Sequence, residues 1–301
     1  MILNSGNEID KKLSAVFQKE VIENLRPDNL DYLAMKIKSE SSDIGFKIYY
    51  SSKYSKQEYL KNKKDPLINY LCDNKLAKYL NINLDEHKIH NYEVKLYTHH
   101  NDRMIHFFEY LYKNISFLGK YKDEITKISD TINTVLYSNL HDYSPMYFFS
   151  FKRDAFGIIQ VNLYWFTKQP MSTAKDENID MNYDFKFLEK LGISKLEELL
   201  PISKELIKNC HGKLLLIGIN YTENYPEKHK IYVTVPKNIS IYDGLIKTFS
   251  DDYNYGLESQ INLIRVWHEI HPEFYCDGFA IGKDNKDNFS LNIYFRFFES
   301  G

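Results

Sequence analysis

The sequence predicts an α+β fold: a ten-stranded antiparallel β-barrel of hairpins alternating with helices, the helices outside. Three observations lead there. Short runs alternate apolar and polar residues at period two, the mark of strands with one greasy face. These runs come in pairs joined by turns, five pairs in all, with stretches of helical spacing between them. No Pro/Gly/Ser linker or low-complexity segment divides the 301 residues, so one domain spanning 1–301 is expected. Ten antiparallel strands in succession close into a barrel and so remove their edges.

Residues 8–25 place Ile9, Leu13, Val16, Phe17, Val21 and Leu25 at helical spacing, ended by Arg26-Pro27-Asp28-Asn29. Leu33–Lys38 and Phe46–Tyr50 alternate and are joined by a Ser/Asp/Gly turn, Ser39 to Gly45. Helices are expected at 55–63 and 66–80. A second hairpin is expected from Tyr92–Thr98, the turn His99–Asp102, and a return strand Arg103–Phe108, with helical residues on to about Asn139. Met146–Lys152 and Ile158–Thr167 form the third hairpin, followed by helices at 183–192 and 194–209. Lys213–Asn220 and His229–Val235 form the fourth, followed by helices near 240–249 and 256–270. Gly278–Gly282 and Phe289–Phe298 form the fifth.

The second strand of each hairpin has an apolar face, such as Val161/Leu163/Trp165 and Ile231/Val233/Val235. Helices with apolar stripes need such faces, so they belong outside. The opposite faces then point inward: Lys47 and Tyr49, Asn162 and Tyr164, Lys230 and Tyr232, Asn292, Tyr294 and Arg296. In the first strands Lys36/Lys38, Lys95/Tyr97 and Ser150/Lys152 alternate likewise. The second hairpin's return strand leaves two inward sets open, Arg103/Ile105 or Met104/His106. Enclosed cations require anions or water. Tyrosine donates to phosphate oxygens through its hydroxyl and favours positive charge over its ring. An allylic diphosphate calls for both, because its leaving group is anionic and its reacting fragment becomes a carbocation. The competing arrangement is an open sheet with a solvated polar face.

Composition limits the alternatives. The chain is 43% hydrophobic and 15% aromatic, with 25 Tyr and 19 Phe against 2 Trp, ample for a packed core. Lys plus Arg total 39 and Asp plus Glu 41, so a formal charge of −2 gives no global reason to expect nucleic acid or an anionic membrane. Cys72, Cys210 and Cys276 are scattered, without metal-ligand spacing, and are expected as buried reduced thiols. The first ten residues have no signal-peptide pattern, and no apolar run is long enough for a membrane span; a cytoplasmic protein is expected. Trp267-His268-Glu269-Ile270-His271-Pro272 has its second histidine at i+3 rather than the zincin i+4, and reads as a helix end. No GxGxxG, P-loop, GxSxG or Asp-rich DDxxD-type motif is present.

With the hairpin layout, Gln160-Val161-Asn162-Leu163-Tyr164 resembles a strand of the soluble ABBA-fold aromatic prenyltransferases, bacterial phenol/indole type. That family is a ten-stranded antiparallel barrel of α-β-β-α units with the active site inside. The resemblance implies that Asn162 contacts the diphosphate and Tyr164 borders the prenyl chain. It implies that Lys230, in His229-Lys230-Ile231-Tyr232-Val233, is a cationic diphosphate ligand, that Arg103 falls near a family lysine, and that Tyr294 matches a family tyrosine. A cation usual four residues before that tyrosine is Ser290 here; Arg296 is the expected substitute. Tyr164, Tyr232 and Tyr294 would shield the allylic cation, and Lys47, Arg103, Asn162, Lys230 and Arg296 would hold the diphosphate.

The implied activity is transfer of a dimethylallyl or geranyl group from its diphosphate to an indole or phenol. Glu93 is a weak candidate base, with a surface glutamate the favoured reading. Metal-dependent members of the family hold Mg²⁺ with an aspartate that aligns with Gly45. Lys47 follows on the same side, so no cofactor is required and Mg²⁺ is dispensable; Asp43 reaches the same place by a two-residue slip. The alternatives are a non-catalytic small-molecule-binding barrel and, within the same fold, a peptide prenyltransferase.

Overall fold

The computed structural model describes residues 9, 11, 30–39, 41–51, 66–73, 77–85, 88–96, 101–136, 147–153, 157–167, 185, 188–224, 228–237 and 239–297. Of the expected helix at 8–25 only Ile9 and Lys11, both helical, are among them, and the expected helix at 55–63 lies outside them.

The strands are β1 (Leu30–Lys38), β2 (Ser41–Ser51), β3 (Ala77–Asp85), β4 (Lys88–Leu96), β5 (Tyr147–Arg153), β6 (Ile158–Phe166), β7 (Lys213–Thr222), β8 (Lys228–Thr234), β9 (Phe274–Asp284) and β10 (Phe289–Phe297). Each pairs antiparallel with its sequence neighbour, and β1 also pairs with β10, from Leu33↔Phe295 to Lys38↔Ser290, which closes the sheet. The helices are α1 (Pro66–Asp73), α2 (Asn101–Asn114), α3 (Lys122–Leu136), α4 (Ser194–Asn209), α5 (Tyr242–Ile246) and α6 (Glu258–Ile270), with a 3₁₀ turn at Ser116–Tyr121 and a π-helical turn at Lys247–Asp252.

The core lies between the outward strand faces and the helices. Phe107 of α2 meets Phe149 of β5 edge-on at 5.4 Å, and Trp267 of α6 meets Phe295 of β10 at 5.4 Å. Trp165 of β6 donates its indole N–H to Ser129 Oγ of α3 at 3.3 Å. Val161, Leu163, Ile231 and Ile293 are fully buried on this outer side. Burying residues of this size is worth ~1.5–3 kcal/mol each. Packing on the outside therefore holds the polar inner face in place.

Two expectations are corrected. The second hairpin is β3–β4, one element earlier than expected, and Arg103 stands in the first turn of α2 rather than on a return strand. The alternation Ile105/Phe107 suggested a strand, but Phe107 and Leu111, four apart, are the fully buried pair, which is helical spacing. Arg103 thus has no place on a strand face. In the first hairpin the expected turn from Ser39 to Gly45 is mostly strand, since Lys38 already pairs with Ser41 and Lys36 with Gly45.

The histidines of the 267–272 stretch are structural. Helix α6 ends at Ile270; His268 Nδ1 meets the Tyr242 hydroxyl at 2.7 Å and its Nε2 the Phe274 carbonyl at 2.9 Å. Cys210 and Cys276 are buried free thiols, with burial the main force raising both pKa values, Cys210 to about 12. No helix among the described residues is long and apolar enough to cross a membrane.

Candidate functional site

The inward faces enclose a chamber of about 450 Å³. Its wall is built by a division of labour between strands. The even strands β2, β6, β8 and β10 carry a repeated triplet: Lys47-Ile48-Tyr49, Asn162-Leu163-Tyr164, Lys230-Ile231-Tyr232 and Asn292-Ile293-Tyr294. Period two sends the first and third residues of each triplet to one face. All eight of those residues line the chamber.

Small residues stand between them, chiefly from the odd strands β7 and β9 and from Ala34 of β1. One row across the sheet reads Tyr164, Gly218, Lys230, Gly282, Ser290, Lys38. The next reads Tyr232, Ala280, Asn292, Lys36, Gly45. A third reads Gly278, Tyr294, Ala34, Lys47. Two of these glycines are required by close approach. A Cβ on Gly218 would lie 2.7 Å from Cδ1 of Tyr164 and 3.2 Å from Cε2 of Tyr232. A Cβ on Gly282 would lie 2.7 Å from Cε of Lys228 and 2.9 Å from Cγ of Lys230.

The tyrosines touch in a continuous arc. Ring centroids are 5.8 Å apart for Tyr164–Tyr232, 6.0 Å for Tyr232–Tyr294, 6.2 Å for Tyr294–Tyr49 and 6.3 Å for Tyr49–Tyr32. One step back along each even strand, about 6.7 Å, lies the tier of Lys47, Asn162, Lys230 and Asn292. Lys36, Lys38, Lys152 and Lys228 bring the lining lysines to six, against Asp43 and Asp284 among the described lining residues. Lys230 is half-buried because its accessible face opens on the chamber, and protein encloses the rest. This burial, reinforced by the charges of Lys228, Lys47, Lys36 and Lys152, pulls its pKa well below the usual lysine range. An anion in the chamber would reverse that penalty. Asp284 is pushed the other way: burial raises its pKa, but the N–H groups of Asn288 and Lys286 and the Asn288 side chain outweigh it and hold the pKa low.

Asn162 is fixed from both sides. It accepts a hydrogen bond from Gln160 Nε2 at 2.5 Å and donates Nδ2 to Ser150 Oγ at 2.6 Å. By contrast, Asn220 Oδ1, Ser290 Oγ and Asn292 Oδ1 are buried without a hydrogen-bond partner among the described residues. Such atoms cost ~1–3 kcal/mol each unless water or a ligand satisfies them.

The expected site residues are thus mostly together. Lys47, Asn162, Tyr164, Lys230, Tyr232 and Tyr294 line one chamber. Arg296 does not line it. Two residues beyond Tyr294, it stacks on Tyr32, the end ring of the arc, with its guanidinium carbon 4.4 Å from the ring centroid, and donates to the Tyr32 hydroxyl. Arg103 lies on α2. Glu93 is paired in register with Ser150, and its side chain lies outside the described ones. Sequence reading did not single out Gly218, Gly282, Asn220 and Tyr32. The repeated triplet was the available signal for the tiers; the glycines emerge only from cross-strand register.

No protein-family profile matches the sequence, and no curated protein matches it significantly. Similar solved structures exist. The NotF prenyltransferase has 7% identity and a TM-score of 0.56, over 89% of this chain and 80% of that one. AnaPT from Neosartorya fischeri has 12% identity and a TM-score of 0.55, over 89% and 78%. The 6-dimethylallyltryptophan synthase from Micromonospora olivasterospora, in complex with DMASPP and Trp, has 10% identity and a TM-score of 0.51, over 88% and 81%. At these identities the likeness is one of fold, and that fold is the one shared by the ABBA-type aromatic prenyltransferases.

Proposed function

We propose that the chain transfers an isoprenyl group from an allylic diphosphate to an aromatic acceptor, an indole or a phenol, inside the chamber. The observation that carries this reading is a tier of lysines and asparagines one strand step from a continuous tyrosine arc, in one chamber lined by six lysines. A diphosphate needs the first and an allylic cation the second. The reading is consistent with the ligands of structural neighbours, DMASPP with Trp in the Micromonospora olivasterospora synthase and product diphosphate in PriB.

In this mechanism Lys230 and Lys47 neutralise the diphosphate, and Asn162, held by Gln160 and Ser150, offers its remaining N–H. The carbon–oxygen bond of the donor breaks and the electron pair leaves with the diphosphate. The faces of Tyr164, Tyr232 and Tyr294 stabilise the cation, each by ~0.5–2 kcal/mol. An aromatic carbon of the acceptor attacks, and its proton passes to solvent. Fixed ammonium groups supply the charge that a divalent ion would supply, so the reaction needs no Mg²⁺; Asp43, on the same wall as Lys47, is the one nearby carboxylate of β2.

The test is incubation with dimethylallyl and geranyl diphosphate and a panel of indoles, phenols and tyrosine- or tryptophan-containing peptides, read by mass spectrometry. A gain of one prenyl unit on a small aromatic acceptor is expected. Diphosphate binding without transfer to any acceptor overturns the reading in favour of a binding barrel. Transfer to peptides alone replaces the small acceptor by a peptide.

A further inference from the structure

We propose that a cleft outside the barrel, between α3 and the start of α4, binds a zwitterionic amino acid with an apolar side chain. The cleft has a volume of about 510 Å³ and does not share its lining with the chamber. This site is independent of the prenyl-transfer reading.

The chemistry of the walls selects the ligand. Helix α4 runs for 16 residues from an N-cap at Ile193 that makes no side-chain capping bond. Its first N–H groups carry the positive end of the helix dipole. Lys127 of α3 adds an ammonium on the same side, its Nζ 3.4 Å from where a Cβ on Gly192 would stand. Gly192, at φ +64°, turns the chain into α4 without that side chain. Together these groups suit a carboxylate.

Glu124 and Asp123 line the same cleft. Glu124 Oε1 accepts from the Tyr221 hydroxyl at 2.9 Å, and its other oxygen has no hydrogen bond among the described residues. These carboxylates oppose a simple anion, as Lys127 and the helix terminus oppose a simple cation. A molecule bearing both charges satisfies both sides. Leu191, Ile128 and Ile193 also line the cleft and supply an apolar surface for a side chain.

His229 is the second, independent observation. It is 7% exposed, lines the cleft, and its ring makes no hydrogen bond to any described residue. Burial first, and then the charge of Lys195, lowers its pKa to about 4, so the ring is neutral near pH 7, with one nitrogen donating and one accepting. Its ring nitrogens are not among the fully enclosed polar atoms that lack a partner, so they keep accessible surface at the cleft and can bond a polar ligand there. A metal does not fit, since no group of three or more His, Cys, Asp or Glu poised for one occurs among the described residues.

Leucine is the probe, with 4-methylpentanoate and 3-methylbutylamine as analogues lacking the amine and the carboxylate. Binding is followed by calorimetry and by the ¹⁵N imidazole signals of His229. Saturable leucine binding that shifts those signals is expected, with each analogue at least about tenfold weaker. His229→Leu and Lys127→Ala should both weaken it; Lys127 is exposed, so its variant tests the site even if His229→Leu fails to fold. Absence of saturable leucine binding, equal binding of either analogue, or unchanged binding in Lys127→Ala overturns the proposal.

Discussion

Substituting Gly282 by alanine probes the construction of the lysine tier. The new Cβ would stand 2.7 Å from Lys228 Cε, 2.9 Å from Lys230 Cγ and 3.1 Å from the His229 carbonyl oxygen. Ordinary carbon contacts lie near 3.5–4.0 Å, so two of the three approaches are short by roughly 0.6–1.3 Å. Lys228 Cε is the far end of a flexible chain and can swing away. Lys230 Cγ cannot, because it is one bond from a Cβ on β8, and Lys230 is held in register between Gly218 and Gly282. Either its χ angles leave their wells or the strand shifts, an overpacking cost of ~1–3 kcal/mol. In a chain of this size that lowers Tm by roughly 2–5 °C. The Lys230 ammonium also moves out of reach of a phosphate oxygen, and losing one charge-assisted bond weakens dimethylallyl diphosphate by about tenfold or more. Thermal melting and calorimetric titration with the non-hydrolysed thiodiphosphate DMASPP measure the two effects. A Gly282→Ala protein with Tm within about 1 °C and affinity within about twofold of wild type would refute the reasoning.

The other predictions concern the arc, the outer face and the ion. Gly218→Ala would set a Cβ 2.7 Å and 2.9 Å from the Tyr164 ring, which must turn out of the arc. Steady-state kinetics should show kcat down about tenfold with donor KM changed less than about threefold, since the rings act on the developing cation; a change in KM alone contradicts this. The lowered pKa of His229, about 4 against an unfolded value near 6.5, makes stability fall as pH drops from about 6.5 to about 4, because the unfolded chain binds the proton first. The loss approaches roughly 3 kcal/mol at the acid end, and acid melts of His229→Leu should show that limb flattened. Turnover should persist in excess EDTA; complete loss restored by Mg²⁺ contradicts the role given to Lys47.

Much of the fold was legible because the buried faces repeat. From β5 onward, strand alternation and helical spacing agree with the local residues, and Val161/Leu163/Trp165 fixes the side that meets helices. The second hairpin was misread because Leu80-Asn81-Ile82-Asn83-Leu84 follows a run that also satisfies helical spacing. Lys47, Asn162, Tyr164, Lys230, Tyr232 and Tyr294 were legible as lining residues by period two alone. Arg296 obeys the same period, but its guanidinium stacks on Tyr32, a long-range partner that alternation cannot reveal. Gly218 and Gly282 matter only through the rows they occupy between Tyr164, Lys230 and Ser290, and rows belong to register, not to any single strand.

The central claim is that the lysine tier holds an allylic diphosphate, and calorimetric titration of wild type and Lys230→Ala with DMASPP tests it most directly. Wild type should bind at one saturable site, and Lys230→Ala, folded by thermal melt, should bind about 10- to 150-fold more weakly, the ~1.5–3 kcal/mol of one charge-assisted hydrogen bond. Equal affinity in the two proteins, or no binding to wild type, would contradict it.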